Sequence, residues 1–232
     1  QSTNTEVAIK GVVGVPALRD WPLQSDFVAN LLARADGDMS YDALLEITQP
    51  AQSETQGAIV NPTRRLSINS ALEGFSLDYP VPFKKTMQTS MPLRLTIDFL
   101  DSGEDLRVSL ADIASMNVGL SDGQIRRGLV FLGKQGEGVS VRRLNANAPG
   151  LDVIGALERF DYEEWMAALS NSGTGTDSPE EGDNFSSLKE VINAVDVTIA
   201  DAYAFGQNAK DLNMQIASAE QYWNLGLASA TV

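Results

Sequence analysis

The sequence predicts an α+β protein with a strand-rich N-terminal body, residues 1–150, and a C-terminal helical arm, residues 151–232. Three observations lead there. Leu188, Val191, Val195, Thr198, Ala202, Phe205, Ala209, Leu212, Ile216, Ala219 and Trp223 recur in alternating steps of three and four, the seam of one long helix. Leu93–Leu100 and Leu106–Leu110 instead alternate apolar and polar residues around the turn-forming run Asp101-Ser102-Gly103-Glu104-Asp105, which predicts a β-hairpin. Charge divides the chain at the same place. Residues 1–150 carry 14 Lys and Arg against 17 Asp and Glu, a net of −3, whereas residues 151–232 carry 3 against 14, a net of −11.

Taken in order, Glu6–Val15 is rich in Val and Ile and closes at Pro16, which predicts a strand. A helix is expected from Ser25, its cap, to about Ala35, with Phe27, Val28, Leu31 and Leu32 on one face. A second short helix is expected after Ser40, burying Ala43, Leu44 and Ile47 and stopping at Pro50. Residues 51–57 are small and polar, a surface loop. Strands follow at Ala58–Val60, Arg65–Ile68 and Phe75–Tyr79, then the hairpin. Gly128–Leu132 and Gly138–Leu144 are expected to form a second hairpin across Gly133-Lys134-Gln135-Gly136-Glu137.

The arm begins with an amphipathic helix over 152–170, carrying Val153, Ile154, Leu157, Phe160, Trp165 and Leu169. Residues 172–187 are rich in Gly, Ser, Thr and Asp, which predicts a polar linker. The long helix then runs from 187 to 223, about 55 Å at 1.5 Å per residue.

Composition excludes several chemistries. The chain has no cysteine, so disulfides and thiolate nucleophiles are absent, and no histidine, which removes imidazole bases, triads and imidazole metal ligands. No apolar run approaches the roughly 18 residues of a membrane-spanning helix, so membrane insertion is not expected. Nor is direct nucleic-acid binding, because an acidic surface repels a phosphate backbone.

The motifs that resemble sites have plainer readings. Gly133–Gly138 lacks the Gly-Lys-Ser/Thr ending of a phosphate loop and is a hairpin turn. Asp36, Asp38, Ser40 and Asp42 alternate as calcium ligands do, but Tyr41 and Ile47 occupy the positions that need glycine and glutamate. Asp98, Asp101, Glu104 and Asp105 surround a turn. No catalytic, cofactor-binding or metal-binding residue is assigned, and no cofactor is expected. The basic pairs Arg64-Arg65, Arg126-Arg127 and Arg142-Arg143 are candidate docking points for an acidic arm.

The expected function is therefore a non-enzymatic, self-assembling structural subunit, such as a capsid, tail or filament component, in a virion or extracellular assembly. Its assembly interface would be Leu188, Val191, Val195, Ala202, Phe205, Ala209, Leu212, Ile216, Ala219 and Trp223 on the long helix. Its partners would be copies of itself and other structural proteins. The alternative is a soluble adaptor that holds one protein partner, and a carboxylate enzyme is the third reading.

Overall fold

The computed structural model describes residues 3–20, 32–49, 63–121, 124–134, 149–170, 192–219 and 222–228. Strands dominate it, at 71%. In chain order the elements are β1 (Thr3–Gly14), α1 (Val15–Arg19), β2 (Ala35–Gln49), β3 (Thr63–Ser70), β4 (Phe75–Leu77), β5 (Leu93–Leu100), β6 (Gly103–Leu110), β7 (Ala114–Ser121), β8 (Gln124–Leu132), β9 (Leu151–Asp161), α2 (Tyr162–Ser170), β10 (Ile192–Ala204), β11 (Gln207–Ala219) and β12 (Tyr222–Ala228).

All the strands except β4 lie side by side in chain order in a single sheet, and β4 pairs with one end of β2. From β1 to β8 every pairing is antiparallel. At β8–β9 and β9–β10 the pairing is parallel, and from β10 to β12 it is antiparallel again. The fold is thus nearly all-β and mixed, with no long helix among the described residues.

Several sequence expectations are corrected. The helix of 187–223 does not form over the described residues, where β10, β11 and β12 stand instead. Val195, Val197, Thr198 and Ile199 are β-branched, and they fit a pleated surface better than a helix. The break in the seam is at Phe205-Gly206, both at positive φ (52° and 71°), which makes a two-residue hairpin turn between Ala204 and Gln207. The expected helix 152–170 is strand as far as Asp161 and helix only after it. A strand with neighbours on both sides and apolar contacts on both faces produces a continuous apolar run, which periodicity does not separate from a helix.

The short helix expected after Ser40 is also strand, within β2. Pairing with β1 on one side and β3 on the other overrides the local helical pattern of Ala43-Leu44-Leu45. Of the helix expected at 25–35, Leu32 and Ala33 are helical and Ala35 already begins β2, while the earlier residues lie outside the described residues. So do the strand at 58–60, the linker at 172–187 and the strand at 138–144. The expected hairpin of β5 and β6 is present with a tighter turn: β6 begins at Gly103, opposite Leu100, so only Asp101 and Ser102 connect the strands. The strands at 6–15, 65–68 and 75–79 are present with shifted ends.

The principal core is a cap at one end of the sheet. Val15, Leu72, Phe75, Tyr79, Met91 and Ala168 are buried there, drawn from α1, the 71–92 connection and α2. They pack on Met39, Leu93 and Leu110, at the ends of β2, β5 and β6. Lys85 is buried in this cap, where its Nζ donates to the carbonyls of Phe75 (2.5 Å) and Thr86 (2.9 Å). Arg19 likewise donates to the carbonyls of Leu32 (2.8 Å) and Ala35 (2.9 Å), tying α1 to the start of β2.

Candidate functional site

Side chains directly opposite one another in neighbouring strands share a face, so the register gives the composition of each face. One transverse row runs Val7, Leu45, Leu66, Ile97, Leu106, Val118, Gly128, Leu151, from β1 to β9. The next runs Ile9, Ala43, Ile68, Leu95, Val108, Met116, Val130, Val153, Val195, Ile216. That second row crosses ten strands without a polar residue, about 43 Å at the usual strand spacing of about 4.8 Å. A third, nearer the cap, continues from Leu93 through Leu110, Ala114 and Leu132 to Gly155, Val197 and Met214.

The opposite face is polar over the antiparallel part. Its rows include Glu46, Arg65, Asp98 and Asp105 in register, and Asp42, Asn69, Arg94 and Ser109. Asp98 holds Arg65 (Nε to Oδ1, 2.5 Å) and also Arg107. These pairs stand at the surface, where each contributes little to stability. At β8 and β9 this face also carries Phe131 and Ile154, both buried.

What distinguishes the apolar face is its lack of cover among the described residues. Away from the cap, from buried Val118 and from the cluster of Val197, Ile199 and Ala202, the side chains of its rows are half-buried or, at Val7 and Ile9, exposed. No second sheet packs across it among the described residues. The cap closes one end of this surface. Trp165 stands between cap and sheet, near Tyr79 (6.3 Å between centroids), Phe83 (5.9 Å) and Phe160 (6.4 Å). Its Nε1 is buried without a hydrogen-bond acceptor among the described residues.

The sequence-predicted interface residues are partly dispersed. Val195, Leu212 and Ile216 do meet, as neighbours on the apolar face of β10 and β11, and Ala202 faces Ala209 further along the same strands. Phe205 is at the hairpin tip, 78% exposed. Ala219 ends β11 and Trp223 lies in β12, while Leu188 and Val191 are outside the described residues. Arg64 and Arg65 sit on β3 with opposite facings, and Arg65 is already engaged by Asp98 within the sheet. Arg126 and Arg127 lie on β8 beside a register shift, and Arg142 and Arg143 are outside the described residues. Asp36, Asp38, Ser40 and Asp42 alternate along one face of β2 rather than wrapping a loop.

Sequence reasoning missed most of the transverse rows. The signal was available in the odd–even alternation of Val7, Ile9, Leu66, Ile68, Val108, Met116 and Val118, but it becomes a surface only when the register is known.

Every residue of the chain, 1–232, is matched by the family model described as YhdP protein. The chain belongs to the YhdP family. No curated protein and no solved structure matches it. No helix among the described residues of this YhdP-family chain is long and apolar enough to cross a membrane.

Proposed function

We propose that this chain is a non-enzymatic binding protein whose sheet holds the apolar chains of an amphiphile, such as the acyl chains of a lipid, along its bare apolar face. The observation that carries this reading is the row from Ile9 to Ile216, ten strands wide, wholly apolar and, among the described residues, without a second layer over it. A sheet with one apolar face ordinarily buries that face against another layer. Contiguous exposed apolar surface beyond a few hundred Å² marks a place where something binds. A flexible chain fits such rows because it needs no directional partner and gains from each methylene withdrawn from water, about 0.8 kcal/mol.

The adjacent residues Thr96 and Ile97 test it, since they face opposite sides of β5. A photoreactive side chain at Ile97 is expected to capture a radiolabelled long-chain fatty acid or phospholipid, and the same group at Thr96 is expected to capture little. Equal labelling at both, or at neither, overturns the reading. Leu95→Asp, checked for retained β-structure by circular dichroism, is expected to weaken binding of a fluorescent fatty acid by about tenfold or more.

Self-assembly remains a second reading with one observation in its favour. The outer strands β1 and β12 each have a single neighbour among the described residues, so each presents a row of unpaired main-chain groups.

A further inference from the structure

We propose that Arg64 and Glu104 form a headgroup site at the rim of the apolar face, taking a zwitterionic phosphodiester whose phosphate meets the guanidinium and whose primary ammonium meets the carboxylate. This rests on the acyl-chain reading and adds which head the bound chain carries.

The register places both residues. On the side away from the cap, the row that follows Leu45, Leu66, Ile97, Leu106 and Val118 runs Ile47, Arg64, Phe99, Glu104, Leu120. Side chains in register share a face. The two charges therefore belong to the apolar face, with Phe99 in register between them.

Their neighbours on that face are apolar. Arg64 is exposed and has Ile47 and Phe99 opposite it and Leu66 two residues along. Glu104 is half-buried and has Phe99 and Leu120 opposite it and Leu106 two residues along. Elsewhere in the sheet opposite charges face each other directly and bond, as Arg65 does with Asp98 and Lys210 with Asp201. Arg64 and Glu104 are instead two strands apart, about 10 Å at about 4.8 Å per strand, and no ion pair joins them. A ligand that carries both charges would connect them.

The chemistry of each group suits its half of such a head. An arginine stem lies along apolar surface while its guanidinium stays at the water's edge, and the planar fork matches a phosphate with two hydrogen bonds. A carboxylate set among apolar side chains gains from a cationic donor.

The depth of the face suits the tails. On β5 the face continues from Phe99 through Ile97 and Leu95 to Leu93, which packs on the cap. Phe99 to Leu93 covers about 20 Å at about 3.4 Å per residue. One leaflet's tails fill roughly 15 Å, half of a bilayer core of about 30 Å. A head at the rim thus leaves its tails room to run along the strands and end against the cap.

The test is binding of radiolabelled dioleoyl phosphatidylethanolamine, dioleoyl phosphatidylglycerol and dioleoylglycerol, each in detergent micelles, to the 232-residue chain. The three share their tails and differ in the head. Arg64→Gln is expected to weaken both phospholipids about tenfold and leave dioleoylglycerol unchanged. Glu104→Gln is expected to weaken the ethanolamine lipid alone, about fivefold or more. Glycerophosphoethanolamine, the same head without tails, is expected not to displace the ethanolamine lipid at equal concentration. Binding of dioleoylglycerol with no effect of either variant on the phospholipids overturns the headgroup site and leaves the acyl-chain reading standing. So does a Glu104→Gln variant that treats the two phospholipids alike, a variant that loses all three lipids together, or displacement by the tail-less head. Failure of the unaltered chain to bind any of the three overturns both readings.

Discussion

Asp161 accepts a hydrogen bond from the main-chain N–H of Glu164 through its Oδ1 at 3.1 Å, and at that contact β9 ends and α2 begins. A carboxylate there satisfies one of the free donors of the first turn and complements its positive end. Asp161→Ala is expected to cost about 1 kcal/mol of stability. The loosened helix should shift Trp165 fluorescence before global unfolding, which a urea titration in a Trp21→Phe, Trp223→Phe background, followed by fluorescence and by circular dichroism, will show as separated transitions.

Phe205 holds φ at +52° in the β10–β11 turn, where asparagine or glycine normally stands. Its ring packs on Tyr162 at 5.1 Å, but most of it is in water. The left-handed conformation costs a non-glycine residue about 1 kcal/mol or more. Phe205→Asn is therefore expected to raise the melting temperature, and the β-branched Phe205→Val to lower it. Thermal melts of the two variants check the sign.

Gly128 is the gap in an otherwise branched row. A Cβ added there would lie 2.2 Å from Leu151 Cδ2 and 2.9 Å from Val118 Cγ2. Gly128→Ala is expected to destabilise by about 1–3 kcal/mol, the usual cost of overpacking. Leu151→Ala in the same chain should recover part of the loss, and a double-mutant cycle in denaturant measures the coupling.

Lys85 gives the cap a pH dependence. Burial lowers its ammonium below the ordinary value of 10.5, with the charge of Glu73 opposing the shift. The unfolded chain therefore holds more protons than the folded one between the folded value and 10.5, and stability contributed by this residue rises with pH across that window. Lys85→Met should cost about 1–3 kcal/mol by leaving the Phe75 and Thr86 carbonyls without a donor. The difference between wild type and variant is expected to widen toward pH 10.5. Melting curves of both proteins from pH 7 to 10.5 test this, and a constant difference would refute it.

The legibility of the sequence followed its solvent exposure. β5 and β6 alternate because one face is polar, so Arg94, Thr96 and Asp98 punctuate Leu93, Leu95 and Ile97, and the hairpin declared itself. β9 lies between two parallel neighbours and β10 between a parallel and an antiparallel one, and both carry apolar residues on both faces. Ile154 faces one side and Val153 the other, so the alternation vanishes and a helical period can be laid over it. Asp161 and Glu164 spelled out a helix start, and Phe205-Gly206 a turn, yet both were submerged in the longer pattern. The candidate binding surface was the least legible feature. It depends on which residue stands opposite which across ten strands, and no local window contains that information. The expected charge division is present in the sequence, but among the described residues the acidic part is, apart from α2, sheet and not a helical arm.

The two parallel ladders have a kinetic consequence. Strands β5 to β8 follow one another across connections of no more than three residues, so their contacts close at small loop entropy. β9 and β10 reach their places only after crossovers of 18 and 30 residues, counted between the strand ends. The meander should therefore form early and the β8–β9–β10 junction late, and hydrogen exchange should find the amides of β5–β7 outlasting those at the junction. A chain that stalls there would hold a finished half-sheet with a raw edge at β8, the point at which misassembly between copies would begin.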